Sequence, residues 1–201
     1  MKRTILFAAI LSLLALNGNA QVALKTDGLD GAYVENITKR AQKIVDGLAI
    51  SDAATAENVR NIIANRYFLL NKIHEENKGN QEKRDAELYK HHFELEADLS
   101  LYVDDEKIEA VKDGMTYGVV PKTYQAHLDM IPSLKPEEKA QILAWLKEAR
   151  EFAMDAENSN KKHGWFGKYK GRINNWLSKR GYDLVKEREG WYKRIEEAKK
   201  K

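Results

Sequence analysis

Pro136-Glu137-Glu138-Lys139-Ala140-Gln141-Ile142-Leu143-Ala144-Trp145-Leu146-Lys147-Glu148-Ala149-Arg150 is the stretch that decides the fold class. Proline suits a first helical turn, where the missing N–H would have had no partner, and the two carboxylates behind it complement the positive end of the helix dipole. Ile142, Leu146 and Ala149 then recur at the spacing of one helical face, and Ala153 and Ala156 continue it. This spacing predicts an amphipathic helix from Pro136 to about Asn158.

The same periodicity extends in both directions. Ile37, Ala41, Ile44 and Leu48 line a first helix; Val59, Ile62, Ile63, Arg66, Leu70 and Ile73 line a second. Leu88, His92, Leu95, Leu99 and Tyr102 predict a third, and Glu106 to Lys112 a shorter fourth that Gly114 stops. Tyr117-Gly118-Val119-Val120 favours extended backbone, so residues 114–122 read as an irregular Gly/Pro segment, followed by a helical turn over Tyr124 to Met130. Downstream, Arg172 to Arg180 and Leu184 to Lys199 read as helices separated by Gly181. The expected fold class is all-α: a helical bundle of about seven helices, ending in a basic, aromatic helical pair, with residues 21–201 as one domain.

The first twenty residues stand apart from this pattern. Lys2 and Arg3 precede an apolar run from Ile5 to Leu16, and Gly18-Asn19-Ala20 places small residues where signal peptidase reads them. The run is shorter than the ~20 residues a spanning helix needs. Residues 1–20 are therefore expected to be a cleaved signal peptide, with the mature chain starting at Gln21, exported to the periplasm or secreted, and free of transmembrane segments. The absence of cysteine excludes disulfides, thiolate metal sites and thiol nucleophiles. A net charge of +3 over 201 residues does not imply a nucleic-acid partner.

That charge is unevenly spread. Residues 161–201 carry 14 Lys and Arg against 5 Asp and Glu, whereas residues 21–160 carry 18 against 26. The basic tail also holds Trp165, Phe166, Tyr169, Trp176, Tyr182, Trp191 and Tyr192. Rings packed between two helical layers would explain most of them. A basic aromatic surface for a carbohydrate or an anionic ligand is the sharper expectation, because aromatic faces suit the C–H surface of a sugar while Asn and Arg donate to its hydroxyls. Gly164, Gly167 and Gly171 interrupt this stretch at an entropic cost that a plain helix would avoid. The expected ligand contacts are Trp165, Tyr169, Arg172, Asn175 and Trp176, with Tyr117 and Tyr124 as an opposite wall.

Asp113-Gly114-Met115-Thr116-Tyr117-Gly118-Val119-Val120-Pro121, Asp129-Met130-Ile131-Pro132, Trp145 to Glu151, Ala153-Met154-Asp155, Phe166 to Asn175 and Gly181-Tyr182-Asp183 occur in that order. With them the chain resembles an exported bacterial family catalogued as domain of unknown function 3826. The resemblance covers most of the mature chain and implies an exported, helical, carbohydrate-associated protein, with no catalytic residues to carry over. Where that family often has Thr before the acidic helix start, this chain has Lys135, which removes a capping hydroxyl.

Other chemistry finds less support. Glu87, His91 and Glu94, and likewise His92 and Glu96, share helical faces, but there is no HExxH, and no metal or cofactor is assigned. Ser159-Asn160-Lys161-Lys162 matches Ser-x-x-Lys without its companion motifs, and there is no phosphate loop. Asp113, Asp129 and Asp155 are the carboxylates inside the family-like segments, and no pair among the 31 Asp and Glu stands out as glycosidase-like. The reading is an exported helical protein that binds a carbohydrate, with no catalytic residue assigned. The alternatives are an envelope scaffold or chaperone-like helical protein and, third, a glycan-processing enzyme with two carboxylates facing each other across a pocket.

Overall fold

Aspartate and asparagine mark the starts of six helices: Asp30, Asp52, Asn80, Asp104, Asn158 and Asp183 each accept a backbone N–H of the following turn. Each such cap is worth about 1 kcal/mol. The computed structural model describes residues 21–200, and the expected signal peptide lies outside them. Among the described residues there are nine helices and no strand. They are α1 Gly31–Asp46, α2 Ala53–Glu76, α3 Gln81–His91, α4 Glu94–Ser100, α5 Asp105–Met115, α6 Val119–Met130, α7 Pro136–Met154, α8 Ser159–Lys179 and α9 Leu184–Lys199. None of them is long and apolar enough to cross a membrane. The all-helical bundle is as expected.

The apolar faces assemble into two clusters. Ile37, Ala41 and Val45 of α1, Val59, Ile63 and Phe68 of α2, Leu95 and Leu99 of α4 and Ile108, Val111 and Met115 of α5 form the first, closed by Met154 of α7. The second joins Val120 of α6, Ile142, Leu146, Ala149 and Ala153 of α7, and Phe166, Tyr169, Ile173 and Leu177 of α8, over Ile131 and Leu134 of a connecting loop. An arm of extended chain precedes α1. It is held along α2 by Asn58, which accepts from Val22 N–H, by Asn61, which donates to Val22 C=O, and by Asn65, which accepts from Lys25 N–H and donates to Ala23 C=O.

Four local expectations need correction. Nine helices are found among the described residues because the expected third divides into α3 and α4 at His92-Phe93 and residues 119–130 form a full helix. The irregular segment near 114–122 shrinks to Thr116-Tyr117-Gly118: α5 runs through Gly114, and Pro121 lies in the first turn of α6, where it needs no N–H partner. Tyr117 and Gly118 turn the chain with φ of 62° and 63°, a conformation glycine takes freely and tyrosine does not. The Gly-rich stretch 161–171 is helical, because Asn158 caps α8 well before Arg172 and Phe166 and Tyr169 find the core. Finally, α7 ends at Met154, and Asp155 caps it rather than extending it.

Burial of the tail also differs in detail. Phe166, Tyr169, Ile173 and Leu177 hold α8 to α7, while Trp165 and Trp176 are only half-buried, and α9 has no fully buried residue. Lys168, Arg172, Asn175 and Lys179 are exposed, as their helical stripe requires.

Candidate functional site

Between the two apolar clusters runs a seam of buried charge. Arg66 of α2, 5% exposed, reaches across it: its guanidinium donates to Asp155 Oδ1 at 2.5 Å and to the His91 carbonyl at 2.6 Å. His74, one helical face further along α2, donates to the Asp155 carbonyl at 2.8 Å. Asp155 Oδ2 lies 2.6 Å from His92 Nδ1. One carboxylate at the end of α7 therefore ties α2 to the bend between α3 and α4.

That bend sets the site. Because the chain turns between His91 and Glu94, His92 faces inward, while the adjacent Phe93 ring stays 63% exposed and packs edge-on against His92 at 4.8 Å. A cavity of about 230 Å³ opens here, lined by His92, Phe93, Leu95, Glu96, Lys112, Glu151 and Met154. Lys112 of α5 is 7% exposed, and its ammonium lies 2.7 Å from Glu96 Oε2 and 3.2 Å from Glu151 Oε2. His92 Nε2 stands 3.7 Å from Glu151 Oε2.

The seam continues beyond the cavity. Arg150 of α7, 1% exposed, donates to Glu109 at 2.6 Å and Asp113 at 2.8 Å on α5, and Lys147 pairs with Glu109. Lys162 of α8 donates to the Met115 and Met154 carbonyls, at the C-terminal ends of α5 and α7. There a cation meets the negative ends of two helix dipoles.

These contacts set the protonation states. The hydrogen bond that His92 donates to Asp155 holds its pKa above the ordinary histidine range; burial and Arg66 oppose this, and the charges of Asp155 and Glu151 add to it. Burial opposes the charge on Lys112, but Glu96 and Glu151 outweigh it and keep the ammonium protonated above its usual range. Burial pulls Lys162 down to about 8, against the attraction of Asp155. A seam designed for stability alone would be filled with apolar side chains, since buried ion pairs seldom repay their desolvation. Arg66 Nε and Arg150 Nε are buried without a hydrogen-bond partner, which adds to that cost. A costly, convergent charge network beside a cavity is the pattern of a functional site.

A second cavity, about 590 Å³, lies on the other side of Leu95, between the N-terminal arm, α2 and α4. Val22, Leu29, Ile62, Phe68 and Leu69 give it apolar walls, and charged side chains that include Lys25, Arg66, Lys72, Glu75 and Glu94 line the rest.

Four of the seven residues expected from sequence, Trp165, Tyr169, Arg172 and Trp176, lie elsewhere, along the outer face of α8 against α7. Trp165 stacks on Phe152 with ring centroids 4.6 Å apart and carries Lys168 over its ring at 4.3 Å. Arg172 lies 4.5 Å over Trp145 and 5.8 Å over Tyr169, and pairs with Glu148. Trp145 meets Trp176 edge-on at 5.2 Å, and Arg180 covers Trp176 at 4.7 Å. Trp165, Tyr169, Arg172 and Trp176 are thus brought together as a ridge of alternating rings and cations. Asn175 lies on the exposed face of α8, Tyr117 stacks on His163 at 5.4 Å, and Tyr124 packs from α6 against the second cluster. None of the seven lines either cavity.

Of the seam residues, the sequence reading singled out His92, Glu96 and Asp155 only in passing and missed Lys112 and Glu151. The available signal was Arg66 and His92, polar side chains standing on apolar helical faces. His91 pairs with Glu94 at 2.8 Å, and among the described residues no three metal-ligating side chains converge.

No curated protein matches the chain. A family model described as "Protein of unknown function (DUF3826)" matches residues 34–83 and 77–197, and so spans both apolar clusters and the seam between them. The chain belongs to that family of proteins of unknown function.

Proposed function

We propose that the protein is exported and binds a carbohydrate, with a single sugar ring seated in the seam cavity. The observation that carries this reading is the cavity's lining: fixed donors and acceptors on His92, Glu96, Lys112 and Glu151 beneath the exposed Phe93 ring. Sugar hydroxyls both donate and accept, and hydrogen bonds to charged partners are the stronger kind. The Phe93 face offers an apolar surface for ring C–H groups. At about 230 Å³ the cavity falls below the usual range of drug-sized sites, as one ring requires. Lys112 stands between the two carboxylates with His92 beside them, so charges of both signs face a bound hydroxyl.

Glu96 and Glu151 are the facing carboxylates that glycan hydrolysis would require, but Lys112 occupies the space between them. A scissile glycosidic bond would have to sit there. Binding is therefore the function that this pair supports.

Titration calorimetry of the mature protein against neutral monosaccharides tests the reading. Glu151→Gln is expected to weaken binding about tenfold or more, the loss of one hydrogen bond to a charged group. Arg172→Ala, on the α7–α8 ridge, is expected to leave binding unchanged. Weakening by Arg172→Ala but not by Glu151→Gln would move the site to the ridge. No binding by the folded protein across the panel would favour the helical scaffold reading. Intact mass of the exported form, expected to begin at Gln21, tests export.

A further inference from the structure

The arrangement inside the cavity goes beyond what holding a sugar requires. Asp155 engages His92 Nδ1 at 2.6 Å, which fixes the ring and leaves Nε2 on the side of Glu151, 3.7 Å from its Oε2. That separation is too long for a hydrogen bond between the two groups. A proton donor and a proton acceptor thus stand side by side without consuming each other. Groups so placed can act together on two oxygens bonded to one carbon. A sugar hemiacetal has such a pair, the ring oxygen and the hydroxyl on its anomeric carbon.

We propose that the cavity interconverts the anomers of the free sugar it binds, with the His92 imidazolium as general acid and the Glu151 carboxylate as general base. The inference rests on the sugar-binding reading above. Glu151 takes the proton of the anomeric hydroxyl, and that O–H pair becomes the second bond of a C=O. The bond from the anomeric carbon to the ring oxygen breaks, and its electron pair on that oxygen takes the proton from His92. The open aldehyde turns about its first C–C bond and closes on the other face, returning both protons. No oxidant, reductant or co-reactant enters, and the protein ends as it began.

The surrounding groups suit this assignment. Asp155 is a positioning residue: it fixes the His92 ring and sustains its charge beyond the ordinary histidine range. Lys112 holds both Glu151 oxygens, at 3.2 and 3.4 Å, and so fixes the base. The charged groups around His92 are Asp155 and Glu151 from the end of α7, Arg66 from α2, Glu96 from α4 and Lys112 from α5. The hydrogen bond to Asp155 extends the acid form of His92 above the ordinary histidine range, and the rate falls as pH rises through its raised pKa.

The test is anomer exchange by saturation-transfer NMR on glucose, galactose, mannose and N-acetylglucosamine in weak buffer, beside calorimetry on the same sugars. The mature protein is expected to accelerate exchange of a sugar that it binds. His92→Gln and Glu151→Gln, shown folded by circular dichroism, are each expected to lose that acceleration by about a hundredfold or more. Asp155→Asn is expected to move the alkaline limb of the pH profile to lower pH. A sugar that binds but exchanges at the buffer rate overturns this inference and leaves the binding reading standing. Absence of both binding and exchange overturns the two together. Full acceleration by His92→Gln removes the proposed acid.

Discussion

Glu138 shows how one carboxylate can lock the tail in place. It is 2% exposed and accepts from the Tyr182 hydroxyl at 2.5 Å, from Arg180 Nε at 2.9 Å and from the Lys135 amide at 2.9 Å. Burial alone would raise its pKa, but these three donors bring it to about 2. Because the folded value is depressed, the stabilisation is complete above the ordinary carboxyl range and is lost as pH falls from about 4 toward 2. Glu138→Gln should cost about 2 kcal/mol in urea unfolding at neutral pH and flatten that acid limb. Lys162 gives a slope of the same sign from a different cause, because burial penalises its charged form. Its amine is depressed to about 8, so above that pH the unfolded chain binds more protons than the folded one and stability contributed at this site rises with pH. Lys162→Met should remove this rise, seen as a narrowing gap between the two proteins' melting temperatures from pH 8 to 9.5 if wild type starts the less stable.

At the scale of the helix, glycines of one type serve opposite ends. Gly171 lies on the outer face of α8, and a Cβ built there meets nothing within 4 Å. Gly171→Ala should stabilise by about 0.5–1 kcal/mol, the ordinary helical gain. Gly114 lies in α5 where α1 crosses it, and a Cβ would come within 2.9 Å of the Ile44 side chain. Gly114→Ala should destabilise by about 1–3 kcal/mol through overpacking, and thermal unfolding of the two variants separates the cases. This contrast also explains which elements were legible in sequence. Periodicity located α1, α2, α7 and α9, because each presents a continuous apolar face or a clear start signal. It missed the early start of α8 because glycine lowers local propensity without forbidding a helix that tertiary packing supports. It missed the α3–α4 bend because Leu88, Leu95 and Leu99 keep helical spacing across it, and the bend is held by the Arg66 bond to the His91 carbonyl, a contact from a distant helix.

For the whole molecule, polar contacts run between the two apolar clusters, and Asp155 takes part in three of them, with Arg66 and His92 through its carboxylate and with His74 through its carbonyl. Its removal as Asp155→Ala should cost about 3–5 kcal/mol, since Arg66 would remain buried without its counter-ion. His92 adds a pH dependence: with its pKa raised by Asp155, it contributes stability that is complete below about pH 6 and lost as pH rises through the folded value. Asp155→Ala should weaken that dependence in denaturant titrations from pH 6 upward, leaving the smaller part that the Glu151 charge supplies. The expected ligand residues were legible as a cluster because rings and cations repeat along α8, and they do form one ridge. The seam was not legible, since Arg66, His92, Lys112, Glu151 and Asp155 come from four separate parts of the chain and only the packed clusters bring them together.

The central claim is that this seam, and not the aromatic ridge, is where a sugar binds. Backbone amide NMR of the mature protein titrated with neutral monosaccharides tests it most directly. The account predicts concentration-dependent shifts confined to residues 91–96, Lys112 and 151–155. Shifts centred on Trp145, Trp165, Arg172 and Trp176 with the seam unmoved would contradict it.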